Sequence, residues 1–237
     1  MSLLTLIQNV AYDRGIRSPT EVIGNTDPQI LQLLQIAQKE GRDLASRYQW
    51  STMVKRATWT MLLAESQGLL NSAVITDGDF DYFLDGTMWD TTTQLPIPGP
   101  ISPKDWETLQ AVNVSGPEFF FRIFQRTLYL YPAPTAANTG ALEYKSTFWC
   151  ETSGGTGQAK WTADTDVGIL DENLMELGIT WRWLKTKGLE YAEDFDSYEK
   201  RVANATIRDG GKPRLNLSTG PIRRGPGVIV PTGNWLQ

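Results

Sequence analysis

Apolar residues recur every three or four positions near both ends of the chain, which is the spacing of one face of an α-helix. The pattern predicts four helices, at residues 2–14, 28–48, 171–187 and 190–208. Asp27, followed by Pro28, and Asp171 are typical residues for a helix start. Gly41 lies inside the second helix at a cost of about 1 kcal/mol relative to alanine, which indicates close packing against another helix.

The middle third of the chain is rich in residues that favour strands, and turns with Gly and Pro separate its segments. Strands are predicted at residues 57–61, 119–124, 128–131 and 142–149. A single helical turn is expected at 103–109, with Ser102 as its N-cap. Because the connections are short, we expect the strands to pair antiparallel.

Helices at both ends with strands between them indicate an α+β fold. We expect the terminal helices to form one bundle, with an antiparallel β domain inserted between them and an extended arm at the C-terminus. The predicted divisions are 1–54 for the N-terminal helices, 55–165 for the β domain, 166–209 for the C-terminal helix pair and 210–237 for the arm.

The C-terminal arm differs in composition from the rest of the chain. Residues 210–237 contain six glycines, four prolines, four basic residues and no acidic residue. The arm therefore carries a charge of +4 and the preceding residues −9, since the whole chain carries −5. It also contains the apolar groups Val228-Ile229-Val230 and Trp235-Leu236, which purely solvating tails rarely carry. Plain disorder and docking on a neighbouring subunit or partner are both compatible with this pattern.

Two tryptophans of the third predicted helix point to different faces, because residues two apart are not neighbours on a helix. Trp181 belongs to the apolar stripe and is expected in the core, whereas Trp183 is expected at a subunit interface. The candidate partner-binding residues are therefore Lys212, Arg214, Arg223, Arg224, Val228, Ile229, Trp235 and Trp183.

Composition excludes several classes of function. The chain has no histidine and a single cysteine, so His-dependent catalysis, His-ligated metals and disulfides within the chain are excluded. No cofactor or metal is expected, and Cys150 is expected to be a buried, inert thiol. The net charge of −5 does not suit a DNA-binding surface, which would be basic.

Neither a signal peptide nor a membrane span is expected. The first ten residues lack a basic segment followed by a long apolar one, and no stretch reaches eighteen apolar residues. A lone thiol suits a reducing compartment.

Four aspartates form the cluster most like a functional site. Asp77, Asp79, Asp81 and Asp85 follow the spacing that opens an EF-hand loop, but Tyr82 and Met88 stand where that loop needs glycine and glutamate. On a strand, Asp79 and Asp81 share one face, which would permit carboxylate-pair chemistry. The alternative, which we favour, is a polar turn that leads into a strand.

Several short motifs, taken in order, resemble the head-to-tail adaptor proteins of short-tailed bacteriophages. They cover roughly residues 1–208, and the arm matches less clearly. The motifs are Pro19-Thr20 with Asp27, Asp79-Phe80-Asp81, Thr87-Met88-Trp89-Asp90, Gly99-Pro100, Ser102-Pro103 with Trp106, Tyr131-Pro132-Ala133-Pro134, Glu143-Tyr144 with Trp149, Trp181-Arg182-Trp183, Lys187-Gly188-Leu189, and Tyr191 to Phe195 with Tyr198-Glu199.

The resemblance implies a structural protein without a catalytic motif. Such adaptors assemble as a ring, expected to contain twelve subunits, on the portal of the DNA-filled head. They present a platform to the tail nozzle or tube, and DNA passes through the ring without sequence-specific binding. The resemblance places the protein in the neck or tail of the virion, after assembly in the host cytoplasm.

Two other functions stay open on the sequence alone. One is a carbohydrate-binding module with exposed aromatic residues on a sheet, for which Phe119, Phe121, Tyr129 and Tyr131 alternate suitably. The other is a hydrolase that uses the aspartate pair described above.

Overall fold

The computed structural model describes residues 1–112, 116 and 118–210. It confirms the α+β class, with helices at both ends of the described chain and antiparallel sheets between them. The α-helices of the described part are α1 (Leu3–Asp13), α2 (Pro28–Arg47), α3 (Pro103–Val112), α4 (Glu172–Lys187) and α5 (Ala192–Gly210).

Local sequence explains where these helices begin and end. The Asp27 carboxylate accepts a hydrogen bond from the backbone N–H of Gln29, and Pro28 occupies the first turn of α2. Asp171 caps α4 in the same way, and Gly188 ends that helix at a φ of 68°, a conformation that glycine adopts without steric cost. The sequence predicted both ends of α1, α2, α4 and α5 to within two residues. Helix α3 runs three residues past the single turn expected at 103–109.

The strands form three antiparallel sheets. Their bounds are β1 (Val54–Thr60), β2 (Ser66–Leu69), β3 (Phe80–Phe83), β4 (Trp89–Asp90), β5 (Leu95–Pro96), β6 (Phe120–Phe124), β7 (Thr127–Tyr131), β8 (Thr139–Ser146), β9 (Cys150–Glu151), β10 (Gly157–Gln158) and β11 (Val167–Gly168). The first sheet has the order β1-β8-β4-β5, with β3 also paired to β8. The second has the order β2-β7-β6, and the third the order β10-β9-β11.

The buried apolar residues form two separate cores. One core unites α1, α2, α4 and α5, and the other lies between the first and second sheets. Trp149, Cys150 and Trp161 belong to the helical core. The helical core therefore includes residues that the sequence prediction assigned to the inserted domain at 55–165. We call the two parts the helical region and the β region after these cores.

Trp149 shows why the predicted strand at 142–149 ends early. The strand stops at Ser146, and the Trp149 ring enters the helical core against Gly41, where a Cβ atom on Gly41 would lie 2.2 Å from the ring. Gly41 is thus required by close packing, as expected, but its neighbour is an indole ring rather than another helix.

Direct hydrogen bonds join the two regions. Lys145 of β8 is buried and donates to the carbonyl oxygen of Ala45 in α2 at 2.6 Å. Ser51, just before β1, donates to Asp209 through its backbone N–H at 2.7 Å and through its hydroxyl at 2.5 Å. The end of α5 therefore lies at the junction of the two regions, and the arm begins there.

Candidate interaction surfaces

Asp79 is a buried structural acceptor. Its side chain is fully buried and accepts hydrogen bonds from Lys55 Nζ at 2.7 Å, the Tyr144 hydroxyl at 2.7 Å and the Ser146 hydroxyl at 2.6 Å. Burial alone would raise the pKa of Asp79, but the donors outweigh burial and lower that pKa. The carboxylate stabilises β3 against β1 and β8, and within the described chain it serves as a structural tie.

The proposed carboxylate pair is not formed. The register of β3 against β8 shifts between Phe80 and Tyr82, so the two aspartates do not share a regular strand face. Asp79 is buried, whereas the Asp81 side chain is 45% exposed and lies 3.8 Å from Lys145. The favoured alternative, a polar turn leading into a strand, fits the turn at 76–78 before β3. However, it did not anticipate the burial of Asp79.

Glu40 is a second buried carboxylate, in the helical region. It is fully buried in α2, where Arg182 of α4 contacts it at 2.5 Å and the Tyr198 hydroxyl of α5 donates a very short hydrogen bond to it. Gly178 makes room for it, because a Cβ atom there would meet the carboxylate. Burial raises the pKa of Glu40 in spite of these donors. The cluster is buried and joins three helices, which indicates a structural role.

The two tryptophans of α4 are both buried. Trp181 is 6% exposed and packs against Phe195 and Tyr198, which confirms the expectation that it is a core residue. Trp183 is only 4% exposed and belongs to the helical core, with Lys187 Nζ 4.3 Å from the centre of its ring. A side chain this buried offers almost no area to a partner, so in this fold Trp183 is not exposed for the predicted contact with another subunit.

The other predicted partner-binding residues lie outside the described residues. They are Lys212, Arg214, Arg223, Arg224, Val228, Ile229 and Trp235.

An open groove lies beside the end of α5, where the arm begins. It encloses about 530 Å³ between α5 and the start of α4. Two arginines, Arg201 and Arg208, and two aspartates, Asp171 and Asp209, contribute its charges. Because Asp171 caps α4 and Asp209 binds Ser51, both carboxylates already have structural partners.

A smaller, more apolar cleft lies in the β region. It encloses about 290 Å³ beside β3, with Met88 and Phe121 as its buried floor and Tyr82 and Asp85 at its rim. Sequence analysis missed this cleft, because strand patterns do not show which apolar faces remain uncovered after packing.

The aromatic residues of the second sheet do not form an open platform. Phe121 and Tyr131 are buried, and Tyr129 and Tyr131 pack edge-on against Trp106 of α3. The alternation that suggested a carbohydrate-binding face is thus explained by a core on one side and helix α3 on the other.

Chemistry elsewhere in the described part of the chain is limited. There, no group of three or more Cys, Asp or Glu side chains is placed to hold a metal ion. Cys150 is buried, and burial raises the pKa of its thiol to about 12, in line with the expected inert cysteine. Among the same residues, none of the helices combines the length and apolarity needed to cross a membrane.

Comparison with known proteins adds one positive finding. Residues 1–222 match the family model described as SU10 adaptor protein. No curated protein sequence matches the chain. The match covers both described regions and extends into the arm, so this chain belongs to the SU10 adaptor protein family and is a structural adaptor component of a bacteriophage virion.

Proposed function

We propose that the protein is a head-to-tail adaptor whose copies form a ring, with twelve subunits, between the phage portal and the tail nozzle or tube. The observation that carries the proposal is the family match over residues 1–222, which spans the helical region and the β region together. The ordered motifs shared with adaptors of short-tailed phages support the head-to-tail placement.

The fold has features that suit a ring subunit. A closed ring uses two different complementary faces on each subunit. The helical region and the β region have separate cores and different surfaces, and buried hydrogen bonds such as that of Lys145 to Ala45 fix them to each other. A subunit of this kind can present one region to the portal and the other to the tail.

Charge supports passage of DNA rather than binding. The residues before the arm carry −9, so a channel lined by them repels phosphates within the Debye length of about 8 Å at physiological salt. The arm carries +4 and lacks acids, which suits docking on an acidic surface of the portal or of the next subunit.

Native mass spectrometry of the full chain, alone and mixed with the portal protein of the same phage, tests the proposal. We expect a complex with the portal that contains twelve copies of the 26.5 kDa chain. A chain that stays monomeric and ignores the portal at micromolar concentration would contradict it.

Removal of the arm separates folding from assembly. Both cores lie between Leu3 and Val202, so deletion of residues 211–237 should leave the far-ultraviolet circular dichroism spectrum and the unfolding midpoint nearly unchanged. Attachment to the portal or to neighbouring copies should be lost. Normal attachment by the shortened chain would rule out a docking role for the arm.

Charge reversal tests the electrostatic part of that role. Arg223→Glu with Arg224→Glu should weaken assembly and flatten its dependence on salt, because two favourable charges become repulsive. The matched control is Arg223→Gln with Arg224→Gln, which should have a smaller effect. Equal assembly of all three chains at every salt concentration would show that the arginines do not act through charge.

A further inference from the structure

The cleft beside β3 has the size and lining of a peptide site. Its volume of about 290 Å³ is near the low end of the roughly 300–1,000 Å³ of typical ligand pockets. Phe83, Gly99 and Pro100 form its walls above the floor of Met88 and Phe121. Mostly apolar side chains line it, so branched aliphatic residues are suitable occupants.

The strand next to this cleft has an open edge. Both β3 and β4 pair with the same edge of β8, at different positions, because β1 occupies the other edge along its whole length. β5 covers the outer edge of β4, whereas no strand of the described residues pairs with the outer edge of β3. The Phe80 N–H already donates to Asn71 Oδ1 at 3.1 Å, so the rest of this edge is the part that can accept an extended peptide as an added strand.

Asp85 is the one charged residue in the lining of the cleft. The three aspartates that precede it at 77–81 are paired with lysines: Lys55 contacts Asp77 and Asp79, and Lys145 contacts Asp81. Asp85, at the rim of the cleft, forms no ion pair within the described residues. A basic peptide would therefore be favoured there.

One segment of the arm has the matching chemistry. Val228-Ile229-Val230 is a run of β-branched residues, which favour strands, and Arg223 and Arg224 precede it by a few positions. The fourteen residues from Gly210 to Arg223 span up to roughly 45 Å when extended, since each of the thirteen steps between them contributes about 3.3–3.6 Å. The arm begins at the junction of the two regions, so a cleft on an adjacent molecule is within reach.

We propose that residues 223–230 of one copy bind the cleft of a neighbouring copy. Val228-Ile229-Val230 adds as a strand to the open edge of β3 with side chains in the cleft, and the two arginines lie near Asp85. The inference rests on the proposed ring and names one contact between its subunits. Arm and cleft are different surfaces of the same chain, as a closed ring requires.

Disulfide trapping in the full chain tests this contact. Two variants, Ile229→Cys and Tyr82→Cys, are mixed under the conditions in which assembly occurs and exposed to a mild oxidant; Tyr82 is a rim residue that is 40% exposed, and this choice keeps Asp85. The native Cys150 is fully buried and does not compete. We expect a covalent dimer that contains both variants, and we expect it only in the mixture.

The control replaces the cleft cysteine with one on a distant surface. Tyr12→Cys lies on α1 and is 81% exposed in the native chain, so it is fully accessible. Docking should make the Ile229–Tyr82 cysteine pair react at least about tenfold faster than the Ile229–Tyr12 cysteine pair, because it raises the effective concentration of the two thiols.

The outcomes separate this inference from the proposed function. If rings form and both cysteine pairs react at the same rate, the docking inference is wrong and the adaptor ring stands. If a chain with both Ile229→Cys and Tyr82→Cys links only within itself, the arm does not bind a neighbour. If no ring forms with or without the portal, the proposed function fails, and the inference fails with it.

Discussion

Glu40 in the helical region and Asp79 in the β region are both fully buried carboxylates that join several elements, but their pKa values are shifted in opposite directions. Glu40 joins three helices through Arg182 and Tyr198, yet its pKa is raised. Asp79 joins three strands through Lys55, Tyr144 and Ser146, and its pKa is lowered. Both accept a hydrogen bond from a tyrosine hydroxyl, so the tyrosine does not explain the difference.

The difference lies in the balance between burial and donors. Burial has the largest single effect on both groups and raises the pKa of each. Asp79 receives three close donors, among them Lys55, whose side chain is 35% exposed and therefore keeps part of its hydration. Arg182 is only 12% exposed and is shared between Glu40 and Asp43. Glu40 also lies deeper in the protein than Asp79, so burial outweighs its two donors, whereas three donors outweigh burial at Asp79.

The largest expected loss of stability is at Trp149, which follows β8 in the chain but packs in the helical core. Trp149→Ala should destabilise the protein by about 3–5 kcal/mol, because it leaves a large cavity against Gly41. Urea unfolding followed by circular dichroism measures it. The control Phe124→Ala, at a side chain that is 48% exposed, should change stability by no more than about 0.5 kcal/mol. Equal effects would show that Trp149 is not a core residue.

The next effect concerns the buried ion pair. Arg182→Met should cost about 3 kcal/mol at neutral pH, because Glu40 then remains buried without its cation. The loss should shrink as pH falls, since protonation removes the charge of Glu40. Lys200→Met, which breaks an exposed pair with Asp196, should leave unfolding unchanged at every pH. A loss that is independent of pH would contradict a charged Glu40.

A smaller effect is expected for the carboxylate of the β region. Asp79→Asn should cost about 1–3 kcal/mol, because the amide cannot accept from all three donors. Asp85→Asn, at an exposed aspartate that forms no ion pair within the described residues, should stay within about 0.5 kcal/mol. Unfolding in urea at neutral pH distinguishes the two, and similar losses would mean that Asp79 is not the tie between the strands.

The two carboxylates should affect the free energy of unfolding in opposite ways as pH falls. The folded pKa of Asp79 lies below its ordinary value of 3.8, so its stabilisation is complete above pH 3.8 and is lost as pH falls through the folded pKa. The folded pKa of Glu40 lies above 4.5, so the native chain gains stability relative to Glu40→Gln as pH falls through that pKa towards 4.5. The free energy of unfolding of the native chain, of Asp79→Asn and of Glu40→Gln, measured between pH 2 and pH 7, should show these opposite trends. Parallel curves would remove the distinction between the two regions.

Helices were largely predictable because their signals are local. The caps at Asp27 and Asp171 and the break at Gly188 each act within a turn of the helix, so they are readable from neighbouring residues. The burial of Glu40 could also have been predicted, since this residue continues the apolar spacing of Ala37 and Leu44. A charged residue in an apolar stripe indicates a buried partner.

The β region was less predictable because its pairing is long-range. Asp79 became buried only because Lys55 and Ser146 approach from distant strands, and no local pattern shows that. Strand β3 was expected only as an unbounded strand after the turn at Asp77-Gly78, and nothing in its own sequence showed the bulge between Phe80 and Tyr82. The cleft beside it depends on which strand edges stay unpaired, which follows from the complete topology rather than from any one segment.

The most direct test of the proposed function is electron microscopy of the full chain mixed with the portal of its phage. We expect closed rings stacked coaxially on the portal, with twelve subunits and an open central channel. Particles in which the chain is absent from the portal, or bound to it without forming a closed ring, would contradict the proposed head-to-tail adaptor.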